Sequence, residues 1–443
     1  MVSSPVCEVQ EFAAYQAKLM SANEAAELVP DRSRLLLPFG PPIPPALCRA
    51  LAQRAEAGGF TSLDITYCYA TEALGRTLLQ PHLHVIHPST PFMGPVERRL
   101  GNNGHGRRIQ FLPAFFHQYP DILANQIGFD TFALQVSPMD NHGYFSVGTG
   151  HDYASQMIHR VGRVIVEVNR QMPRTFGDGF LHVSQVAAIV ENDSVLPEFK
   201  LKAASDVDRA IARHVIELIP DGTTIQIGLG SVPDAVCRHL ENHRDLGVHG
   251  ELISAALGRL LQSGAVTNKH KILNRYKSVF TLILADKATY DFVDDNPAIE
   301  GYSVAYVNNP AVIAQFDNFI SVNGLMQVDL TGQVNSEMID HQQYSSVGGQ
   351  ADYVRGARAS KGGKSILATR STTTNGKASK IVASLDGVVS DTRMDTQYVA
   401  TEYGVANLLG KSTTERALAL IEIAHPTFRQ QLLDQAKEIG IVP

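Results

Sequence analysis

Residues 223–243 read TTIQIGLGSVPDAVCRHLENH, and this stretch decides the fold class. Its first part is a short, β-branched and apolar run that predicts a buried strand, and its second part has apolar residues at helical spacing. Gly228 and Gly230 separate the two parts, as is common where a parallel strand turns directly into a covering helix. The stretch therefore predicts one strand–loop–helix unit of an α/β protein.

The same alternation continues in both directions along the chain. Strand-like runs near Leu35, His84, Thr131 and Val161 alternate with amphipathic stretches, and a second series begins with the helix pattern at 204–219. With 443 residues, the chain exceeds the roughly 250 to 300 residues that one core supports. The polar, proline-containing run ENDSVLPEFKLKAASD separates the two series. We predict two open α/β domains with mainly parallel sheets, at residues 1–200 and 201–443.

The composition excludes several classes of protein. With 44% hydrophobic residues, 19% charged residues and a net charge of −6, the chain is typical of a globular protein and has no basic stripe for nucleic acid. Cys7, Cys48, Cys68 and Cys237 form no CxxC pair, which argues against a zinc ribbon or a disulfide framework. There is no signal-peptide pattern and no run of about 18 apolar residues. We therefore expect a cytoplasmic protein without a membrane partner.

The loop between the strand and the helix is a first candidate binding site. Its residues Gln226, Ile227, Gly228, Leu229 and Gly230 precede the helix start. Glycines allow a ligand to approach the backbone, and the N–H groups at a helix N-terminus attract a phosphate or an oxyanion. An ordinary strand-to-helix turn remains the alternative. A dinucleotide site is disfavoured because Pro233 occupies the third glycine position of GxGxxG.

Glu251 is a candidate nucleophile. It interrupts the apolar segment at 246–254 and follows Gly250. A carboxylate in apolar surroundings is poorly solvated, which makes it a better nucleophile or base. A solvated surface acid is the alternative, and it is far more common.

A third motif combines glycines with polar donors. Its key positions are Ser346, Gly348, Gly349 and Gln350, and the basic segment Ser360–Lys364 follows. Such a loop can bind the phosphates of a nucleotide, with Lys361 and Lys364 as counter-charges, or it can be an ordinary surface loop. The sixteen histidines are dispersed, and no Walker, HExxH, GxSxG or EF-hand pattern occurs. We therefore expect no metal site.

Together, these motifs resemble those of family I CoA transferases, in the branch of acetyl-CoA hydrolases, 4-hydroxybutyrate CoA-transferases and butyryl-CoA:acetate CoA-transferases. The similarity covers nearly the whole chain. Besides the three motifs above, the blocks that carry it are Val136–Asp140, His142–Tyr144, Glu167–Asn169, Met172–Thr175, Gly177–Gly179, Ser263–Asn268, Tyr290–Val293, Asp329–Val334, Thr401–Gly404 and His425–Pro426.

The resemblance implies roles for the candidate residues. Glu251 would be the catalytic glutamate, residues 226–230 the CoA-binding and oxyanion loop, and residues 346–350 a second CoA-contacting loop. It also implies an active site between the two domains, a homodimer, and coenzyme A as a substrate with no tightly bound cofactor. CoA would pass from a donor such as succinyl-CoA, acetyl-CoA or butyryl-CoA to itaconate, 4-hydroxybutyrate or acetate, by ping-pong catalysis through a glutamyl-CoA thioester.

The chain also departs from the family pattern beside the nucleophile. Gly250, Ala255 and Ala256 replace a threonine and a polar pair common in relatives, and Leu409 replaces an arginine. These departures favour a less usual acceptor, and the bacterial itaconate CoA-transferases are the branch that the chain resembles best. They leave two alternatives open. One is an acyl-CoA hydrolase using the same glutamate, and the other is an inactive CoA-binding regulatory protein.

Overall fold

The structure is a computed structural model that describes residues 5–101, 109–199 and 203–443, with side chains from residue 10 onward. The chain divides into two compact units. The first comprises Met1–Phe199 and Phe280–Tyr306, and the second comprises Lys200–Val279 and Val307–Pro443. The first long segment ends next to the predicted boundary at residue 200. The return of Phe280–Tyr306 to the first unit was not predicted, and the domain ranges 1–200 and 201–443 stay a prediction.

A parallel seven-stranded sheet forms the centre of the first unit. Its strands are β1 Ser33–Phe39, β2 Leu63–Cys68, β3 Ile86–Thr90, β4 Gln110–Phe111, β5 Thr131–Val136, β6 Arg163–Val168 and β7 Ala188–Glu191, in the order β7-β6-β5-β1-β2-β3-β4. Every neighbouring pair is parallel. All six residues of β5 are buried, as expected of a strand covered on both faces. The predicted strands near Leu35, His84, Thr131 and Val161 correspond to β1, β3, β5 and β6.

Helices alternate with the strands of this sheet along the chain. The main α-helical segments of the first unit are Pro5–Lys18, Ala22–Glu27, Pro45–Glu56, Glu72–Leu74, Gln80–His82, Pro95–Gly101, Tyr119–Asp121, Ala154–Met157 and Lys287–Val293. Buried Glu167, in one of the family-like blocks, accepts hydrogen bonds from the N–H groups of Ala46 and Leu47 in the first turn of Pro45–Glu56. A carboxylate is favourable there because it pairs with the unsatisfied N–H groups of a helix start.

The second unit contains a six-stranded sheet. Its strands are β8 Thr224–Ile227, β9 Gly247–Val248, β10 Phe319–Gly324, β11 Lys364–Ala368, β12 Tyr398–Thr401 and β13 Gly404–Asn407, in the order β9-β8-β10-β11-β12-β13. All neighbours are parallel except β13, which is antiparallel to β12. The main helices are Asp206–Ile216, Ser231–Leu240, Ala255–Gln262, Pro310–Ile313, Gln350–Ala359, Thr413–Glu422 and Pro426–Glu438. These two sheets confirm the predicted α/β class.

The strand order of the second sheet points to a binding site. The chain passes from β8 to β9 on one side and then crosses to β10 on the other side of β8. Ligands of open α/β sheets bind at the carboxyl ends of the strands where the order reverses in this way. The loop that begins at Gly228 lies at this switch point.

Candidate active site

The first two candidate motifs lie side by side at the carboxyl ends of two paired strands. Strands β8 and β9 pair in parallel, with Ile225 opposite Val248, and the His249 N–H donates to the carbonyl of Ile225 at 3.2 Å. A Cβ built on Gly250 would lie 3.5 Å from Cγ of Gln226. The structure therefore brings Glu251 next to the Gln226 loop.

Glu251 is held by a side chain that the sequence did not single out. Nδ2 of Asn308 donates to Oε2 of Glu251 at 2.5 Å. Asn308 is fully buried, and the hydroxyl of Tyr353 donates to its Oδ1 at 3.0 Å. Because the hydroxyl bonds to one end of the amide, the other end is oriented toward the carboxylate. One oxygen of Glu251 is thus held in a defined position.

Tyr353 and His249, which hold Asn308 and the neighbouring Val307, are uncharged at physiological pH. Burial, then the charge of Glu251 and then that of Asp352, raise the pKa of Tyr353 well above 10, so its hydroxyl stays protonated. Burial first, and Lys271 second, lower the pKa of His249 to about 3. Its ring is therefore uncharged, and Nε2 lies 2.9 Å from the Val307 carbonyl, to which it donates.

Gly349 brings the second loop against the nucleophile. A Cβ built on Gly349 would overlap Oε2 of Glu251 and Nδ2 of Asn308. With φ at −88°, the backbone of Gly349 is accessible to any residue, so the close approach alone accounts for the glycine. The loop that contains Gly349 and the segment that contains Glu251 are far apart in the sequence, but they meet at the Glu251 carboxylate.

Two residues of the Gln226 loop form hydrogen bonds to the neighbouring strand β10. The Gly228 N–H donates to the Val322 carbonyl at 2.8 Å, and the amides of Gln226 and Asn323 form a reciprocal pair with both distances 3.0 Å. Ile227 is buried in the core, whereas Leu229 is 56% exposed. The donors of an oxyanion site would therefore be the N–H groups after Gly228, at the start of Ser231–Leu240. CoA binding by this loop stays a prediction.

The second loop also contains internal bonds. Ser346 Oγ accepts from the Gly348 N–H at 3.3 Å. The side-chain amide of Gln350 donates to Oγ of Ser336 and to Oδ2 of Asp391. Contact of Ser346, Gly348, Gly349 and Gln350 with CoA stays a prediction.

The two lysines considered as phosphate partners do not lie at the carboxyl ends of the strands, where the Gln226 loop and Glu251 are found. Lys361 and Lys364 are at the amino end of β11, where Nζ of Lys364 donates to the Leu218 carbonyl at 2.7 Å. They are separated from Gly349 by the ten residues of Gln350–Ala359, a length of about 15 Å. This position argues against the suggested role.

Sequence reasoning missed Asn308 and Tyr353. The pair Asn309-Pro310 reads as a helix start, and Asn309 does cap Pro310–Ile313. This helix-start signal explains Asn309 but gives no role to Asn308, the polar residue before it. Tyr353 carries no local signal, because it looks like any apolar residue of an amphipathic helix.

The departures from the family pattern lie close to the nucleophile. A Cβ on Gly250 would make only ordinary van der Waals contacts, of 3.5 Å or longer, with Gln226. Ala255 and Ala256 are buried in the first turn of Ala255–Gln262, which Ser254 caps by accepting from the Leu257 N–H. Leu409 is 45% exposed.

Within residues 5–101, 109–199 and 203–443, no cluster of three His, Cys, Asp or Glu side chains could hold a metal ion. In the same part of the chain, none of the helices has the length and apolar character needed to span a membrane.

Comparison with known proteins places the chain in a family. The N-terminal domain model of acetyl-CoA hydrolases/transferases matches residues 5–199, and the C-terminal domain model matches residues 286–436. The 4-hydroxybutyrate coenzyme A transferase of Clostridium kluyveri is 41% identical over 427 residues, which cover 96% of this chain and 98% of that protein. This chain belongs to the acetyl-CoA hydrolase/transferase family. Glu251 lies between the two matched ranges.

Solved structures of similar proteins agree with this membership. RipA from Yersinia pestis has a TM-score of 0.95 and 43% identity, covering 98% of this chain and 100% of that one. A 4-hydroxybutyrate CoA-transferase from Porphyromonas gingivalis has a TM-score of 0.81 and 32% identity, covering 96% and 99%. The resemblance seen in the motifs, the α/β fold of CoA transferases and the expectation of a CoA-transferase enzyme are confirmed.

Proposed function

We propose that this family member is an acyl-CoA:carboxylate CoA-transferase that uses Glu251 as a covalent nucleophile. The observation that carries the proposal is the position of its carboxylate, with Oε2 bonded to Asn308 and in close approach to Gly349. A carboxylate suits this reaction because its attack on a thioester forms a mixed anhydride of comparable or higher reactivity. The step is therefore reversible.

The first half-reaction exchanges a thioester for a glutamyl thioester. Glu251 attacks the donor carbonyl, and the C–S bond breaks to release CoA thiolate and leave an anhydride. The thiolate then attacks Cδ of Glu251, the anhydride C–O bond breaks, and the donor acid leaves as a carboxylate. An acceptor carboxylate repeats these two steps in reverse, so no electron or proton has to be supplied.

Two sets of N–H donors can stabilise the oxyanions of these steps. At Cδ of Glu251, negative charge develops on the carbonyl oxygen, and the Asn308 amide that contacts Oε2 would donate to it. At the substrate carbonyl, we assign the donors to the N–H groups after Gly228, at the start of Ser231–Leu240. Both sets are neutral donors held by the fold.

For the acids, we propose itaconate, 4-hydroxybutyrate or acetate as acceptor and succinyl-CoA, acetyl-CoA or butyryl-CoA as donor. The relatives named as 4-hydroxybutyrate CoA-transferases support a small carboxylate. The missing side chain at Gly250, next to the nucleophile, supports an acceptor other than acetate.

A hydrolase is the second candidate, because the family description includes acetyl-CoA hydrolases. Water would then replace the acceptor carboxylate.

We also propose that the protein is a homodimer and is located in the cytoplasm. Cys48, Cys68 and Cys237 are buried, and none of the three is in a disulfide, which supports a reducing compartment.

Two measurements test the proposal. CoA released from succinyl-CoA is measured with and without itaconate, 4-hydroxybutyrate or acetate, because a transferase needs an acceptor and a hydrolase does not. Mass spectrometry after incubation with acyl-CoA and borohydride reduction should find the adduct on the peptide that contains Glu251. The Glu251→Gln variant should form no adduct and lose transfer by about 1,000-fold or more, whereas Glu422→Gln, on an exposed helix face, should not. Full activity of Glu251→Gln would refute the proposal.

A further inference from the structure

The side chain of Gln350 is bonded to the protein interior. Gln350 is the first residue of the helix Gln350–Ala359 and directly follows Gly349. Both protons of its amide are used: Nε2 lies 2.7 Å from Oγ of Ser336 and 2.5 Å from Oδ2 of Asp391. Ser336 is 9% exposed and Asp391 is 2% exposed. A glutamine that served only to contact a ligand in solvent would not need two buried acceptors.

These two acceptors belong to paired backbone segments. The Val334 N–H donates to the Asp391 carbonyl at 3.0 Å, and the Ser390 N–H donates to the Val334 carbonyl at 2.7 Å. The Ser336 N–H donates to Oγ of Ser390 at 3.1 Å. Ser336 and Asp391 therefore lie on two hydrogen-bonded segments, residues 334–336 and 390–391, which together form one support for the Gln350 side chain.

The same helix has a second attachment to this support. Nε of Arg355 lies 3.2 Å from Oδ2 of Asp395, four residues after Asp391. The helix that begins next to the nucleophile is thus bonded to the Asp391–Asp395 segment both at its first residue and further along. This arrangement restricts both translation and rotation of the helix start.

We propose that Gln350 is a positioning residue that, through Asp391 and Ser336, holds Gly349 against the Glu251 carboxylate. The inference rests on the proposed function of Glu251. Because the backbone of Gly349 leaves no space for even a Cβ beside Oε2 and the Asn308 amide, a small shift of the helix start would alter the surroundings of the nucleophile. A misplacement of about 1 Å can lower a rate by about 100-fold.

Ionisation of Asp391 should affect this function. Burial raises its pKa to about 7; the negative charges of Asp395 and Glu337 also raise it, while the Gln350 hydrogen bond and Arg355 lower it. Above that pH the carboxylate makes a charge-assisted bond to the amide, which is stronger than the bond to a neutral acid. We therefore expect kcat to rise with pH near 7, and part of this rise to be lost in Asp391→Asn.

The inference can be tested by exchanging the amide of Gln350 and the carboxylate of Asp391. Gln350→Ala should lower kcat by about 100-fold while KM for succinyl-CoA changes little. Gln350→Glu should lose as much, because two carboxylates would face each other. Adding Asp391→Asn to Gln350→Glu should recover most of the activity, since an amide then again donates to a carboxylate. Gln430→Ala removes a similar Gln–Asp bond on an exposed helix and is the matched control.

The outcomes separate this inference from the proposed function. If the wild-type protein transfers no CoA and forms no adduct on Glu251, the proposed function fails and the inference fails with it. If the wild type is active and Gln350→Ala matches it, only the inference is wrong. A higher KM at unchanged kcat would also overturn it, in favour of direct CoA contact. The inference would also be overturned if the variant that combines Gln350→Glu with Asp391→Asn folds but is no more active than Gln350→Glu alone.

Discussion

Gly349 shows how a single missing side chain can shape a site. Its backbone closely approaches Oε2 of Glu251, and a methyl group there would overlap both the carboxylate and the Asn308 amide. At φ −88°, alanine has no backbone penalty, so the effect of Gly349→Ala should be local. We expect kcat to fall by about 100-fold with a small change in unfolding temperature.

Steady-state kinetics and a thermal melt check this expectation. Gly162→Ala is the matched control, because a Cβ there meets nothing within 4 Å and its φ lies outside the left-handed region. Wild-type kcat in Gly349→Ala would mean that the loop moves away from the nucleophile during the reaction.

Introducing a negative charge at Asn308 tests how this side chain affects Glu251. In Asn308→Asp, a carboxylate replaces the amide that contacts Oε2 of Glu251. Two like charges at this distance raise the pKa of the pair, so the nucleophile would ionise only at higher pH. The acid limb of the kcat–pH profile should move up by about one unit or more. An unchanged limb with reduced kcat would indicate that the amide acts only as an oxyanion donor.

At the scale of elements, one ion pair joins a helix to the end of a strand. Asp208, in the capping box of Asp206–Ile216, makes two hydrogen bonds to Arg370, two residues after β11. Burial raises the pKa of Asp208, but bonds from Arg370 and Ser205 outweigh it and keep the pKa below the usual 3.8. The stabilisation is therefore complete above about pH 4 and is lost as the pH falls through the lower, folded-state pKa.

Asp208→Asn should cost about 2 kcal/mol of unfolding free energy at pH 7. The full penalty of removing one partner of a buried pair is reduced here, because the Arg370 side chain is 33% exposed. Urea denaturation at several pH values measures the difference from wild type, which should shrink below about pH 4. An equal difference at pH 3 and pH 7 would show that the capping bond, and not the charge, is responsible.

Asp152 links the stability of the whole molecule to pH. It is fully buried in the first unit, and its Oδ1 accepts hydrogen bonds from the N–H groups of Tyr153 and Ala154. Burial raises its pKa to about 7, against about 3.9 in an unfolded chain. Between these values the folded state binds a proton that the unfolded state lacks, so the free energy of unfolding falls as the pH rises.

Asp152→Asn should remove this pH dependence. The amide retains an oxygen for the two N–H groups, and the variant should exceed wild type by about 4 kcal/mol at pH 8 while nearly matching it near pH 4. Denaturant unfolding at the two pH values provides the measurement, with exposed Asp317→Asn as the control. A less stable variant at pH 8 would mean that the ionised carboxylate is stabilised inside the fold.

Much of the architecture of the whole molecule was predictable from local patterns. Strands β1, β3, β5, β6 and β8, and the helices Asp206–Ile216 and Ser231–Leu240, all lie where apolar periodicity indicated them. The return of Phe280–Tyr306 to the first unit was not predictable, because chain exchange between units leaves no periodic signal. The motif at Glu251 was visible in the sequence, but the residues that hold it were not.

The sequence by itself determined the strand–glycine–helix units, the parallel sheets and the family, because each depends on residues close together in the chain. Only the tertiary structure decided which side chains meet at Glu251. Asn308 is 57 positions away from it, and Gly349 belongs to another loop again. Their meeting depends on the order β9-β8-β10-β11, which long-range packing sets and no local pattern encodes.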